Sequence, residues 1–227
     1  MSSVSNKGRL GRAGFSLIEL LAVLAIIGIM AVAGLPALKG LTGSTGRTGG
    51  INALMSAIDQ ARAVAIQSGA PSFLVFADSN FPSTANTTNF PYRAYAILRS
   101  RNPDLGELDT NSAGVVVTNP IQIGKWESLP QGVALISPFL AKLPTNSLAV
   151  TLPGETNSRL LPFRTIEFTP AGGLANADAT NGVRVFEGTW NGSKGVPARA
   201  NRVVDQISLS RFTGRAFLVL TNQQGDF

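Results

Sequence analysis

The sequence contains neither cysteine nor histidine, and these two absences remove whole classes of site. They exclude a cysteine nucleophile, a Cys/His zinc site, a Ser-His-Asp triad and histidine acid–base catalysis. Carboxylate pairs, Ser-Lys dyads and oxygen-ligand metal sites are not excluded. Charged residues are also scarce, at 14% of the 227 residues, against 44% hydrophobic ones. A chain this apolar is not expected to be a disordered tail protein.

Glycine and proline are plentiful instead, at 24 and 13 residues, which predicts many turns and a β-rich body. The formal net charge is +6, but Lys7, Arg9 and Arg12 all precede residue 14. Setting these three aside leaves 16 of the 19 basic residues against 13 acidic ones, a balance of +3. This balance favours a mildly basic surface over a dedicated nucleic-acid patch.

A long apolar run lies near the N terminus. From Phe15 to Leu35 only Ser16 and Glu19 are strongly polar. As a helix the run would be about 32 Å long, close to the hydrocarbon thickness of about 30 Å. It is apolar on all sides, whereas a soluble helix shows a polar face. We therefore expect a transmembrane helix rather than a buried core helix, with the basic N terminus in the cytoplasm.

The stretch GFSLIELLAVLAIIGIM resembles the class III signal of type IV prepilins and type II secretion pseudopilins. A conventional secretory signal peptide has a shorter apolar region, and its small residues follow that region, whereas here Ala13 and Gly14 precede it. In the family a prepilin peptidase cuts after the glycine, and the new N-terminal residue is methylated. The resemblance therefore implies a leader peptide at 1–14, cleavage between Gly14 and Phe15, and N-methylation of Phe15.

Glu19 is the one carboxylate inside the apolar run. A charge at mid-membrane costs roughly 2.5–3.5 kcal/mol on insertion scales, and less toward the end of a run. The resemblance makes Glu19 the fifth mature residue, where the family carries a glutamate. The new α-amino group of Phe15, in the same chain or a neighbouring subunit, would be a nearby cation, and a pair between subunits would set the register of packed helices. The alternative is that Glu19 only reaches toward the membrane surface.

The end of this helix and a glycine-rich segment follow the apolar run. Pro36 lacks an N–H and clashes with the preceding turn, so we expect it to kink or end the helix, and the family commonly carries a helix-kinking proline there. We assign 15–39 to a transmembrane and assembly helix. The segment 40–50 holds five glycines, each costing about 1 kcal/mol relative to alanine in a helix. We expect a flexible hinge or a locally melted helix at 40–50.

The rest of the chain, 51–227, is expected to form one globular domain. Apolar residues at helical spacing predict an amphipathic helix from Ile51 to about Ser68, with Gly69 as its C-cap: Ile51, Leu54, Met55, Ile58, Ala61, Ala65 and Ile66. Asp59 and Arg62 lie on its opposite side. Beyond it, runs of β-forming residues predict strands at 72–77, 92–98, 114–123, 133–136, 147–152, 164–168, 183–187, 205–210 and 214–221.

No helices separate these strands, so parallel crossovers are not expected. The sequence DQISLSRFTGRAFLVLT alternates and predicts a terminal hairpin that turns at Thr213 and Gly214. The predicted fold class is therefore α+β. It has an N-terminal transmembrane helix and a second amphipathic helix packed on an antiparallel β-sheet body.

Four stretches of this body resemble the soluble domain of H-type minor pseudopilins and T-type minor pilins: ARAVAIQSG, KWESLPQGV, IEFTPAGG and ISLSRFTGRAF. The resemblance implies a pilin-like structural subunit with no catalytic activity and no cofactor. It implies a prepilin peptidase, other pilin or pseudopilin subunits, an inner-membrane assembly platform and the lipid bilayer as partners. The protein would cross the inner membrane once, with its C-terminal domain in the periplasm, before entering a periplasmic or extracellular filament.

A second function is a binding module, a minor pilin whose tip contacts DNA, a surface or secretion cargo. Some T-type minor pilins are thought to bind DNA through a basic C-terminal region, which Arg199, Arg202, Arg211 and Arg215 would supply here. Aromatic residues able to stack on bases are sparse between these arginines, which weakens the prediction.

The acidic residues of the chain raise two further possibilities, a calcium site and an enzyme. Asp104, Glu107 and Asp109 offer oxygen ligands for calcium, but their spacing is not that of an EF-hand loop, and a solvated acidic loop is the simpler interpretation.

An anchored envelope enzyme using carboxylates is the third function. The chain has no phosphate-binding loop, no G-x-S-x-G and no S-x-x-K to support it.

Overall fold

The computed structural model describes residues 17–84, 86–107, 109–110, 116–117, 119–176, 182–192, 195–198 and 203–221, without the side chains at 28–45, 109–110, 116–117 and 220–221. The chain divides into two compact units, Met1–Thr42 and Gly43–Phe227. The second unit begins inside the glycine-rich segment 40–50.

One helix, α1 (Leu17–Ser68), forms the N-terminal part of the described chain. The sequence predicted two helices separated by a hinge or melted segment at 40–50, and the structure corrects this: α1 passes Pro36 and all five glycines without ending. The kink at Pro36 stays a prediction. The helix ends as predicted, because Gly69 follows it with φ +62, the left-handed conformation of a helix C-cap.

Packing within the second unit explains why the glycines stay helical. Gly46, Gly49 and Gly50 lie against residues 129–133, so closely that an added Cβ on Gly50 would lie 3.0 Å from Val133 Cγ1. A Cβ added to Gly46 would lie 3.6 Å from a methyl group of Val133, and a Cβ added to Gly49 would lie 3.8 Å from the Pro130 ring. Propensity alone gives Gly43–Gly50 a penalty of about 4 kcal/mol for its four glycines, so tertiary contacts must hold the segment helical.

An ion pair adds to this packing. Arg47 Nε lies 2.9 Å from Asp205 Oδ2, and the Asp205 side chain is only 4% exposed. The Arg47 Nε–H is not aligned to donate a hydrogen bond, so the contact is an ion pair without a directed hydrogen bond from that nitrogen. It joins the glycine-rich part of α1 to a strand more than 150 residues away in sequence.

The rest of the described chain is mostly strand. The strands are β1 (Ser72–Phe76), β2 (Ala94–Arg99), β3 (Asp109–Thr110), β4 (Val116–Val117), β5 (Ile121–Ser128), β6 (Val133–Leu135), β7 (Thr145–Thr151), β8 (Ser158–Phe168), β9 (Gly182–Trp190), β10 (Gly195–Pro197), β11 (Val204–Leu209) and β12 (Ala216–Thr221). A short helix, α2 (Ser137–Leu140), connects β6 to β7, and Pro103–Leu105 forms a single 3-10 turn. The predicted α+β class is confirmed.

The strands form two five-stranded antiparallel sheets and a short ribbon. The first sheet has the order β5-β2-β1-β8-β7, and the ribbon pairs β3 with β4. The second sheet has the order β10-β9-β11-β12, with β6 also paired to β9. The predicted terminal hairpin is β11–β12, where Leu209 pairs with Ala216, and its turn includes Gly214 at φ +64.

The main hydrophobic core joins α1 to both sheets. The predicted helical stripe is buried at Ile51, Leu54, Ile58, Ala61 and Ala65, and it packs with apolar residues of β1, β8, β9 and β11. Ile66 corrects the prediction, since it is 45% exposed. It follows Ala65 directly, about 100° further round the helix, and leans over Gly172 instead of entering the core.

Two smaller cores cover the other sheet faces. The loop between β1 and β2 lays Phe81 and Phe90 over the first sheet, where they meet Trp126 and Phe163. On the second sheet, α2 contributes Phe139 to a cluster with Phe186 and neighbouring residues. Both sheets are therefore covered by apolar groups on two faces.

Within the described residues, no helix is long and apolar enough to be identified as a membrane-spanning segment.

Candidate assembly site

The described N-terminal end of α1 is covered with exposed apolar side chains. Eight large ones are between 52% and 83% exposed: Leu17, Ile18, Leu20, Leu21, Val23, Leu24, Ile26 and Ile27. They come in adjacent pairs, and at 3.6 residues per turn such pairs point in all directions around a helix. A helix that is apolar all round is normally buried in lipid or among other helices. This end of α1 therefore has the surface of a segment that is covered in its working state.

Glu19 is the only charged residue from Leu17 to Leu38. It lies within the first described turn of α1, whose described part begins at Leu17. The position of Glu19 near the start of the apolar run follows from the sequence.

The predicted cleavage and methylation residues, Gly14 and Phe15, lie outside the described residues, and the structure does not place them relative to Glu19. In sequence Phe15 precedes Glu19 by four positions, which is one helical turn. Pro36 lies within α1, where a proline removes one backbone hydrogen bond without ending this helix.

The four arginines predicted as nucleic-acid contacts divide into two groups. Arg211 and Arg215 flank the β11–β12 turn and are exposed, whereas Arg199 and Arg202 lie outside the described residues. Between the first two, Phe212 is 84% exposed, and the Arg211 guanidinium lies 5.8 Å from its ring centre. The turn therefore presents an aromatic ring with cationic neighbours.

The β11–β12 turn is fixed to the rest of the unit. Arg62 Nε donates hydrogen bonds to the carbonyls of Gly172 and Thr213, at 3.2 Å and 2.5 Å. The backbone N–H of Leu174 donates to the carbonyl of Arg211 at 2.9 Å. Arg62 was predicted to lie opposite the core, and its head group in fact binds these two loops.

Other basic and aromatic residues of the C-terminal third are engaged in packing. Arg184 donates to Gln206 Oε1 at 2.9 Å and lies 4.3 Å above the centre of the Phe139 ring. Phe186 is 1% exposed, and Trp190 packs on Tyr92 with ring centres 4.0 Å apart. These residues do not contribute to an exposed basic surface.

The acidic loop is organised by an arginine. Arg99 donates to both carboxylate oxygens of Glu107, and the Asn102 backbone N–H donates to the same carboxylate at 3.0 Å. The hydrogen bonds from Arg99, and then that from Asn102, lower the pKa of Glu107 from its ordinary 4.5 to about 2. Asp104 lies exposed on the 3-10 turn, and the Asp109 side chain lies outside the described ones.

Of the described side chains in this loop, Glu107 is not free to coordinate calcium, because its carboxylate oxygens already bind Arg99. Among the side chains that the structure describes, no group of three or more acidic residues is close enough together to hold a metal ion.

Sequence reasoning missed the Arg47–Asp205 ion pair. A signal for it was present, because Arg47 is the only charged residue in the segment 40–50 and Asp205 is the second residue of β11, on the same face as Ile207 and Leu209. Pairing the two needs the tertiary fold, since nothing local connects them.

A comparison with known families finds a match in the same N-terminal segment. Residues 9–35 match the family model of the prokaryotic N-terminal methylation motif, the signal of type IV pilins and pseudopilins. The match contains Gly14, Phe15 and Glu19, and it confirms the resemblance predicted for this segment. The match covers this N-terminal signal and does not extend to the rest of the chain.

Neither the curated proteins nor the solved structures contain a match to the chain. The resemblance of the body to H-type and T-type minor subunits, the cleavage position and the methylated residue stay predictions. The motif at 9–35 supports a type IV pilin-like or pseudopilin precursor.

Proposed function

We propose that this protein is a minor pseudopilin or minor pilin, a structural subunit that acts by assembly. A prepilin peptidase removes the leader 1–14 between Gly14 and Phe15, and Phe15 is methylated. The segment 15–39 anchors the subunit once in the inner membrane, with the globular unit in the periplasm. An inner-membrane assembly platform then transfers the subunit into a type II secretion pseudopilus or a type IV pilus.

The observation that carries this proposal is the apolar helix end with a single carboxylate. All eight large apolar residues between Leu17 and Ile27 are more than half exposed, and the methylation motif covers the same residues. Such a surface is stable in lipid and equally stable among packed apolar helices. The same segment therefore serves as an anchor first and as a filament core later.

Because lipid and a helix bundle are equally apolar, transfer between them gains little hydrophobic free energy. Helix packing, a polar pair and an external energy source must then drive assembly. We assign the polar pair to Glu19 and the α-amino group of Phe15 in a neighbouring subunit. A pair buried among apolar helices sets their axial register, because any other register leaves a charge without its partner.

Replacing Glu19 by alanine tests this role. We expect the variant to stay in the membrane fraction as the wild type does, because a carboxylate has been removed from an apolar segment. We expect its incorporation into sheared filaments to fall by about tenfold or more, since a lost buried pair is worth well over 1.4 kcal/mol. Asp59→Ala is the matched control: it removes an exposed acid from the same helix, but within the globular unit. Normal incorporation of Glu19→Ala would contradict the pairing.

A second function is favoured by the β11–β12 turn, which presents Phe212 between Arg211 and Arg215. We propose that, if the subunit sits at a filament tip, this turn contacts a polyanion such as DNA. A fragment of residues 43–227 should then bind DNA at low salt and lose affinity at higher salt, as phosphate contacts do. Arg211→Ala combined with Arg215→Ala should make the slope of log affinity against log salt concentration shallower by about two, since two phosphate contacts are lost. No binding at low salt would remove this function.

A further inference from the structure

A cleft of about 590 Å³ opens where the two edge strands of the first sheet approach each other. One wall is β5, the other is the end of β7 with its following turn, and the loop between β1 and β2 contributes a ring. The principal lining residues are Phe90, Gln122, Lys125, Trp126, Leu152 and Pro153. None of the functions described above uses this cleft.

β5 is irregular at the cleft. Ile123 pairs with Ile97 and Glu127 pairs with Tyr95, so three residues of β5 stand opposite one residue of β2. Gly124 has φ +78, a conformation that favours glycine. A bulge of this kind redirects side chains and interrupts the row of backbone groups that would pair with an added strand. The cleft is therefore shaped for a compact ligand rather than for an extended peptide.

Trp126 is held in a fixed orientation beside this cleft. Its indole N–H donates to the carbonyl of Thr151 at 3.2 Å. Its ring meets Phe81 edge-on, with ring centres 4.8 Å apart and an angle of 72°. The indole is half-buried and lines the cleft. A fixed aromatic face of this kind binds a ring with an apolar face at little cost in side-chain entropy.

One hydrogen-bond acceptor and one cation of the cleft lack partners among the described residues, and they belong to Gln122 and Lys125. Gln122 Oε1 is buried and accepts no hydrogen bond from the described part of the chain. Its Nε2 donates only a long 3.4 Å hydrogen bond to the carbonyl of Gly124. Lys125 is exposed at the rim, and the described residues that line the cleft include no carboxylate. A ligand with a hydroxyl group and a negative charge would supply a hydrogen-bond donor for Gln122 and an anion for Lys125.

We propose that this cleft binds a sugar ring that carries a carboxylate, such as one uronic acid unit of an acidic polysaccharide. The apolar face of the sugar lies on Trp126, and the carboxylate pairs with Lys125. A hydroxyl donates to Gln122 Oε1 once the Gln122 side chain turns that buried oxygen toward the cleft. A purely apolar ligand would leave the Gln122 oxygen without a partner, as it is in the free cleft, and would gain no hydrogen bond there. A nucleic acid would find a single cation in the cleft, too few for phosphate-dominated binding.

Tryptophan fluorescence tests this site, because the chain has only two tryptophans. Trp190 packs on Tyr92 away from the cleft, so Trp190→Phe leaves Trp126 as the reporter. The full chain, in a detergent without sugar groups, is titrated with a galacturonic acid trisaccharide and with a neutral galactose trisaccharide. We expect the acidic sugar to change Trp126 emission in a saturable manner and the neutral one to bind at least about tenfold more weakly.

Two variants assign the contacts. Lys125→Ala should weaken binding of the acidic sugar by about tenfold or more and abolish the preference over the neutral one. Lys142→Ala, which removes an exposed lysine that lies over Phe139, should change neither. Gln122→Leu should weaken both sugars, because the hydroxyl loses its acceptor. Equal binding of the two sugars, or no response of Trp126 up to about 10 mM of the acidic one, would overturn the proposal.

Discussion

Arg47→Ala is expected to destabilise the globular unit strongly, although Arg47 lies in a glycine-rich segment that the sequence suggested was flexible. The substitution leaves the Asp205 carboxylate, 4% exposed, without its cation. Removing one partner of a buried pair costs about 3–5 kcal/mol. Arg47 is 25% exposed and its Nε–H is poorly aligned, so we expect the lower end of this range, about 3 kcal/mol.

Urea unfolding of a fragment that begins at Gly43 measures this loss, because the fragment keeps the whole second unit. Asp205→Asn in the Arg47→Ala background should recover part of the stability, since a neutral amide is buried at a lower cost than a charge. Arg159→Ala is the control: it breaks an ion pair with Glu155 at 3.4 Å in which Arg159 is 51% exposed, and pairs of this kind contribute 0–1 kcal/mol. A loss below about 1 kcal/mol for Arg47→Ala, or strict additivity in the double variant, would refute the reasoning.

Two other predictions concern the same unit. Gly49→Ala should stabilise the fragment by about 0.5–1 kcal/mol through helix propensity, measured by urea unfolding, because its new methyl meets Pro130 at an ordinary 3.8 Å. Gly50→Ala should gain less or lose stability, because its new methyl would lie 3.0 Å from Val133 Cγ1 and Val133 would have to move. Equal effects of the two variants would contradict this account. Because the pKa of Glu107 is about 2 in the folded chain and ordinarily 4.5, its contribution is complete above pH 4.5 and is lost as the pH falls toward 2. The protection of the amides of residues 100–107, measured as their hydrogen-exchange rates relative to the intrinsic rates at the same pH, should therefore fall over that range in the wild type. Glu107→Gln should show low protection at every pH.

The sequence predicts the globular unit well where the signal is local. The alternation along β11 and β12 and the glycine at their turn predict a hairpin that the structure confirms. The apolar spacing from Ile51 to Ala65 likewise predicts the buried face of α1. In both cases the period of the apolar residues matches the geometry of the element that forms.

The sequence fails where tertiary contacts outweigh local preference. Five glycines argued for a break in the helix, but the segment packs on residues 129–133, and the close approach of Gly50 to Val133 favours a small residue at that position. Arg47 adds a long-range ion pair. The irregular pairing of β5 and the cleft beside Trp126 were also not predicted, because they depend on two strands that are distant in sequence.

The candidate assembly site is the reverse case, because the sequence carries almost all of it. The spacing of Gly14, Phe15 and Glu19 and the length of the apolar run predict the signal that the family comparison finds at residues 9–35. The structure adds that the eight large apolar side chains from Leu17 to Ile27 are more than half exposed on α1. This exposure is the observation on which the proposed assembly role depends.

Mass spectrometry of the N-terminal peptide of the mature protein decides whether this chain is processed as a pilin-type subunit. Our account predicts a chain that begins at Phe15, with one methyl group on its α-amino nitrogen and the apolar helix retained. A mature protein that still begins at Met1, or one cut beyond Leu35 so that Glu19 is lost, would contradict it.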